Sequence, residues 1–154
     1  TYDAFDYRES DTVLAGESLV AFDVDDLIVG VATCYDIRFP EQFKELASQG
    51  AQLIVVPTSW ADGPGKLEQW RLLTAARALD STSYILAAGQ SRPGGDAEAG
   101  NPSGPTGIGH STIVDPNGVR VAEAGYEDDI LYAEIDPNEV AKTRRALPVV
   151  PTAD

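Results

Sequence analysis

Leu27-Ile28-Val29-Gly30-Val31-Ala32-Thr33, then Cys34-Tyr35-Asp36-Ile37-Arg38-Phe39-Pro40-Glu41, and a few residues later Ala51-Gln52-Leu53-Ile54-Val55-Val56-Pro57, form the stretch that decides the fold. The first run is almost wholly apolar, as expected of a strand covered on both faces. It stops at Cys34, which places the cysteine where a buried strand ends and a loop begins. Pro40 fits the first turn of a helix over Glu41–Ser48, and Gly50 closes it. Phe43, Leu46 and Ala47 lie three and four apart and give that helix one apolar face. Ala51 to Pro57 is a second buried strand. A strand, a helix and a strand in about 25 residues make a βαβ unit, whose two strands run parallel.

Upstream, Ser18–Asp23 is a β-rich run separated from Leu27–Thr33 by the acidic turn Val24–Asp26, which predicts a hairpin. Downstream come a loop over Thr58–Gly65 and a long helix from about Lys66 to Leu79. Trp70, Leu73, Ala76 and Arg77 sit on neighbouring turns of it, with Leu67 and Leu72 extending the buried side. Tyr84–Gln90 is a third core strand. Arg92–Gly107 is rich in Gly and Pro and reads as a loop. His110–Val114 and Val119–Ala124 flank Asp115-Pro116-Asn117-Gly118, and Asn-Gly between β-rich runs marks a hairpin. Ile130–Ile135 is expected to be a last strand and Asn138–Leu147 a short basic helix. No repeat and no internal domain boundary is visible. The fold class is α/β, an open sheet layered against helices.

The totals fit one globular domain of 154 residues, 43% hydrophobic and 23% charged. Twenty-five acids against 11 Lys and Arg give a formal charge of −14. That excess repels phosphate, so no nucleic-acid or anionic-membrane partner is expected, and solubility explains the charge. No apolar run approaches the roughly 20 residues of a membrane-spanning helix. A single cysteine allows no internal disulfide, which makes a cytoplasmic setting the default. Methionine is absent, even at position 1, so the chain is expected to be processed or part of a longer one.

A lone cysteine is more often a small buried hydrophobe than a nucleophile. Position raises the second reading, because chemistry in α/β sheets gathers at the carboxyl ends of strands. The segment Cys34-Tyr35-Asp36-Ile37-Arg38-Phe39-Pro40-Glu41 raises it further. It resembles the C-Y-D-x-R-F-P-E nucleophile motif of the nitrilase superfamily, the carbon–nitrogen hydrolases, in its amidase-type form. Other segments agree: Tyr7-Arg8-Glu9 resembles the family's Y-R-E segment, Asp11 to Gly16 the stretch after it, and Ala51 to Trp60 the next strand and substrate-facing loop. Trp70 to Ala78 resembles the W-x-x-L-x-x-A-R-A helix, and Gly109 to Gly118 the G-x-S-x-I-x-D-P-x-G hairpin.

The resemblance implies the C-terminal part of an α-β-β-α sandwich over residues 1–154, with the N-terminal part missing. It implies a homodimer or larger homo-oligomer that hydrolyses nonpeptide carbon–nitrogen bonds with no metal or organic cofactor. The small-molecule amide substrate would acylate Cys34, and water would release the acid. A free thiol has a pKa near 8.5, so it needs a base or a cation to act at neutral pH. The family triad is Glu–Lys–Cys. Its base lies far upstream, and its lysine precedes a segment whose end Tyr2-Asp3 resembles, so both fall outside the sequence.

Within the chain, the resemblance makes Glu9 an additional active-site acid that positions substrate or lysine and helps in proton transfer. The backbone N–H of Tyr35 becomes an oxyanion donor. Tyr35, Ser59 and Trp60 are the expected substrate-binding residues, with Trp60 either lining the acyl pocket or serving as core. Arg38 and Glu41 either form an ion pair bracing the motif or contact substrate, and Asp36 stands in the same position. Lys44 and Lys66 do not replace the triad lysine. His110, the one histidine, is read as structural, and one His with one Cys is a poor zinc site.

Two readings follow. The first is an amidase acting on a small carboxamide, with nitrile or N-carbamoyl hydrolysis as neighbouring chemistries. The second is an inactive fragment or assembly partner, lacking the Glu and Lys of the triad and folding only with its other half.

Overall fold

A computed structural model describes residues 3–4, 7–97 and 104–151. Tyr2 and part of the Arg92–Gly107 loop, residues 98–103, lie outside the described residues. The chain opens with a short ribbon, β1 (Asp3–Ala4) against β2 (Tyr7–Arg8), followed by a 3-10 turn over Glu9–Asp11.

The body is a six-stranded mixed sheet in chain order: β3 (Val20–Val24), β4 (Leu27–Val31), β5 (Leu53–Thr58), β6 (Tyr84–Gly89), β7 (Thr112–Val114) and β8 (Arg120–Glu123). The pairs β4–β5 and β5–β6 are parallel, and the outer pairs are antiparallel hairpins or meanders. The two parallel crossovers are α1 (Pro40–Ser48) and α2 (Lys66–Ser81), both on one face. Pro40 starts α1, where its fixed φ is preorganised and its missing N–H costs nothing.

The core lies between that face and the two helices. Ile37, Phe43, Leu46, Ile54, Val56, Trp70 and Ile85 are fully or almost fully buried there. Each such side chain contributes about 1.5–3 kcal/mol by leaving water. Gly30 suits this packing, since a Cβ there would stand 3.2 Å from both terminal methyls of Leu46, which would have to shift by a few tenths of an ångström. In the hairpin of β7 and β8, Gly118 takes φ +79 and Asp115 accepts from the N–H groups of Asn117 and Val119 at 2.9 Å.

The opposite face is only partly covered. Val29, Leu53 and Tyr84 pack there against Val140 of α3 (Pro137–Ala146), with Ile135 beside them. Farther out, Val20, Phe22 and Val24 pair with Val31, Val29 and Leu27, and all three are exposed. A contiguous apolar area therefore faces outward from β3.

Two expectations are corrected. Ile130–Ile135 is not a strand; it has no ladder partner among the described residues. Its residues Ile130 and Leu131 instead line a cavity of about 210 Å³ with Leu86 and Ile113 of the sheet. A β-branched, aromatic run becomes a strand only where an edge receives it. Leu72 was expected on the buried side of α2 and is 68% exposed. It follows Trp70 by two residues, and positions two apart on a helix face different ways. The expected outcome in urea unfolding is a loss of about 2–5 kcal/mol for Ile54→Ala and a change within about 0.5 kcal/mol for Leu72→Ala.

Candidate active site

The last ladder bond beside the cysteine runs from Ala32 N–H to Val55 O at 3.0 Å. Thr33 is still extended, with φ −128 and ψ 123, and the chain then turns into a 3-10 segment, Cys34–Arg38. Cys34 takes φ +48, in the left-handed region. For a residue with a side chain that conformation costs on the order of 1–3 kcal/mol and persists only where its surroundings impose it.

The surroundings are specific. Asp36 reaches back to accept from Thr33 N–H at 2.8 Å and also receives Gln42 Nε2 at 3.3 Å. Asp36 is thus a cap on the turn. Ile37 sinks its side chain into the core with no exposure, and its carbonyl accepts from Arg77 Nε of α2 at 2.7 Å. Arg77 is in turn paired with Asp80. The elbow is held at its start by a carboxylate and near its end by a guanidinium.

The Cys34 thiol is partly exposed and donates to Ser59 O at 3.6 Å. Among the described residues no carboxylate, imidazole or ammonium group makes a hydrogen bond to it. Ser59 follows β5, so two adjacent strand ends bring it to the cysteine; its hydroxyl donates to Pro105 O at 2.5 Å and docks the 104–109 loop. Trp60 is 5% exposed, donates to Lys66 O at 3.0 Å and packs on Trp70 with ring centroids 5.3 Å apart. The ring is therefore core on one side. On another it meets Arg38, whose guanidinium lies 4.8 Å from Trp60 and 5.3 Å from Tyr35.

Cys34, Tyr35, Arg38, Ser59 and Trp60 are thus assembled at one end of the parallel strands. Arg38 makes no ion pair with Glu41, which is exposed; its Nη2 reaches Gln69 at 3.4 Å and its buried Nε has no hydrogen-bond partner among the described residues. Glu9 is not joined to Cys34 by a hydrogen bond. It sits in the turn after β2, where its carbonyl accepts from Thr12 and Val13. Lys44 is exposed on α1, and Lys66 opens α2.

His110 belongs to a second polar centre. It is 7% exposed at φ +50, and its Nδ1 lies 2.8 Å from Glu123 Oε1. Its carbonyl receives Trp70 Nε1 at 2.8 Å, and Tyr126 meets its ring edge-on. Glu123 also holds Arg71 Nε at 3.0 Å and Arg120 Nε at 3.0 Å. Burial by itself would raise the Glu123 carboxyl, but the hydrogen bonds from Arg71 and His110 and the charges of Arg71 and Arg120 outweigh it and hold the group below its ordinary range. This centre ties α2 to β7 and β8, a structural role for the histidine. Among the described residues, no group of three or more His, Cys, Asp or Glu is arranged to hold a metal ion.

Fold and site together define a class: an α/β chain with a thiol on a strained turn at the carboxyl end of an interior strand of the sheet. Comparison with known proteins narrows it. The carbon-nitrogen hydrolase family model matches residues 1–145. A Mycobacterium tuberculosis protein named as a hydrolase is 51% identical over 152 residues, covering 97% of this chain and 54% of the relative. A deaminated glutathione amidase of Escherichia coli is 43% identical over 150 residues, covering 97% of this chain and 53% of the relative. The crystal structure of Saccharomyces cerevisiae Nit3, a nitrilase-superfamily member, superimposes with a TM-score of 0.77 at 35% identity, over 93% of this chain and 50% of that one.

The chain belongs to the carbon–nitrogen hydrolase family, in the amidase branch of the nitrilase superfamily. It spans about half the length of these three relatives.

Sequence reading alone missed Arg77 as a contact of the cysteine turn and left Asp36 between bracing the motif and contacting substrate, where the structure makes it the cap of the turn. The signal for Asp36 was present, since an acid three residues after Thr33 is a capping spacing. At Glu123 the sign of the pH effect is fixed by its lowered folded pKa. Its contribution is fully present above the unfolded value near 4.5 and is lost as pH falls through the folded one. Glu123→Gln is expected to cost about 1–3 kcal/mol at neutral pH. In urea titrations at successive pH values, the gap to the wild type should close in acid.

Proposed function

We propose that the protein containing this chain hydrolyses a small carboxamide to the acid and ammonia through an acyl-enzyme on Cys34. The observation carrying this reading is the left-handed turn at Cys34, held by Asp36 and Ile37 at the mouth of two parallel strands. Asp25, Thr82 and His110 share a left-handed backbone, but at Cys34 it falls on a nucleophilic side chain at a strand end, which supports a site built for reaction. The amidase relative supports the carboxamide as substrate class.

In this reading the Cys34 thiolate attacks the amide carbon, and the carbonyl oxygen becomes an oxyanion. The Tyr35 N–H is one donor to it, an interaction worth about 3–4 kcal/mol in comparable sites. The carbon–nitrogen bond then breaks, ammonia leaves with a proton from the general base, and a thioester remains. Water attacks the thioester, and the acid departs with the thiol restored. Tyr35, Ser59 and Trp60 wall the acyl site, and Glu9 positions substrate or lysine.

The thiol's hydrogen bond to a backbone carbonyl does not activate it. We therefore assign the activating Glu and Lys to sequence beyond these 154 residues, and take this stretch alone to be inactive. The outward apolar area around Val20, Phe22 and Val24 supports a second layer seated there, since exposed apolar patches of this kind mark interaction surfaces. A homodimer or larger homo-oligomer belongs to the same reading.

The test is steady-state turnover of the full natural polypeptide on a panel of carboxamides, nitriles and N-carbamoyl compounds. A carboxamide should be preferred, and Cys34→Ala should lose more than about a thousandfold in kcat. Undiminished turnover by that variant would refute the assignment.

A further inference from the structure

Arg77 is a buried charge that the proposed reaction leaves without a role. It is 7% exposed, near the C-terminal end of α2, on the buried face that also carries Trp70, Thr74, Ala78 and Ser81. Packing does not explain a guanidinium there, because an apolar side chain of similar volume usually serves a core as well or better. Its contacts do. Nε donates to Ile37 O at 2.7 Å, Nη1 is paired with Asp80, and Ile37 is three residues beyond Cys34 in the same 3-10 turn.

We infer that Arg77, oriented by Asp80, is a positioning residue for the nucleophile, an inference that rests on Cys34 being that nucleophile. A guanidinium offers donors in fixed directions within one plane. With one edge held by Asp80, the Nε–H direction is set, and so is the Ile37 carbonyl that it grips. The Cys34 turn is then clamped between Asp36 on Thr33 N–H and Arg77 on Ile37 O. That clamp fixes where Cys34 Sγ and Tyr35 N–H point relative to a bound carbonyl. Ile37 keeps the turn attached to the core without Arg77, through its own buried side chain. Loss of the guanidinium should therefore loosen the aim of the turn and leave its attachment intact.

The experiment compares Arg77→Met, Arg77→Lys and Cys34→Ala in the full natural polypeptide, with a carboxamide substrate. The folded fraction of each variant is taken from circular dichroism and urea titration, and kcat is expressed per folded site, so that a partly unfolded sample does not imitate a catalytic loss. Arg77→Met should lose roughly 10–100-fold in kcat per site, as expected of a displacement on the order of 1 Å at a reacting group, with KM within about twofold. Arg77→Lys keeps the charge without the fork and should lie between it and the wild type, about three- to tenfold down.

Wild-type kcat per site in Arg77→Met would overturn the inference. Should that variant fail to fold, wild-type kcat per site in folded Arg77→Lys would overturn it equally. Full activity in Cys34→Ala would remove the nucleophile reading and this inference with it. An inactive Cys34→Ala beside a fully active Arg77→Met would remove this inference alone.

Discussion

The left-handed backbone at Cys34 is the constraint on which the rest of the structure depends. Nothing in a cysteine favours φ +48, so the conformation has to be imposed by the residues around it. They come from three directions: the end of β4 through Thr33, the core through Ile37, and α2 through Arg77. The parallel β4–β5 pairing does the rest, since it brings Ser59 and Trp60 out of the sheet beside the turn. Change the register of that pair by one residue and Ile54 would leave the helix-covered face, taking the core and the site with it.

The second polar centre supports the site from farther away. Glu123 gathers Arg71, Arg120 and His110, and the His110 carbonyl receives the indole of Trp70. Trp70 carries Trp60, and Trp60 carries Arg38. The loop that docks on Ser59 and Trp60 closes the same region, through Pro105 O and Gly107 N. The candidate site thus rests on a frame of hydrogen-bonded and stacked side chains, as a preorganised site requires.

The βαβ unit was legible because its signals agree at every level. Apolar runs mark β4 and β5, Pro40 marks the start of α1, and Phe43, Leu46 and Ala47 mark its inner face. The same directness made Cys34 visible. Ile130–Ile135 was misread because composition reports β propensity and says nothing of an available edge. Leu72 was misread because apolar character was taken for burial without respect to its angle from Trp70. Arg77 stood in a recognisable helix motif, but its contact with Ile37 spans 40 residues and has no local trace in sequence. Glu9 has the opposite standing: a matching motif, with no hydrogen bond in this structure to the cysteine it is expected to serve.

The most direct measurement of the central claim is the mass of the full natural polypeptide quenched in acid during turnover of a carboxamide, followed by peptide mapping. The expected result is a transient adduct of one acyl group, without its amine, on the peptide that contains Cys34. An adduct on a different residue, or steady turnover with the Cys34 peptide unmodified under conditions where deacylation is slow, would contradict it.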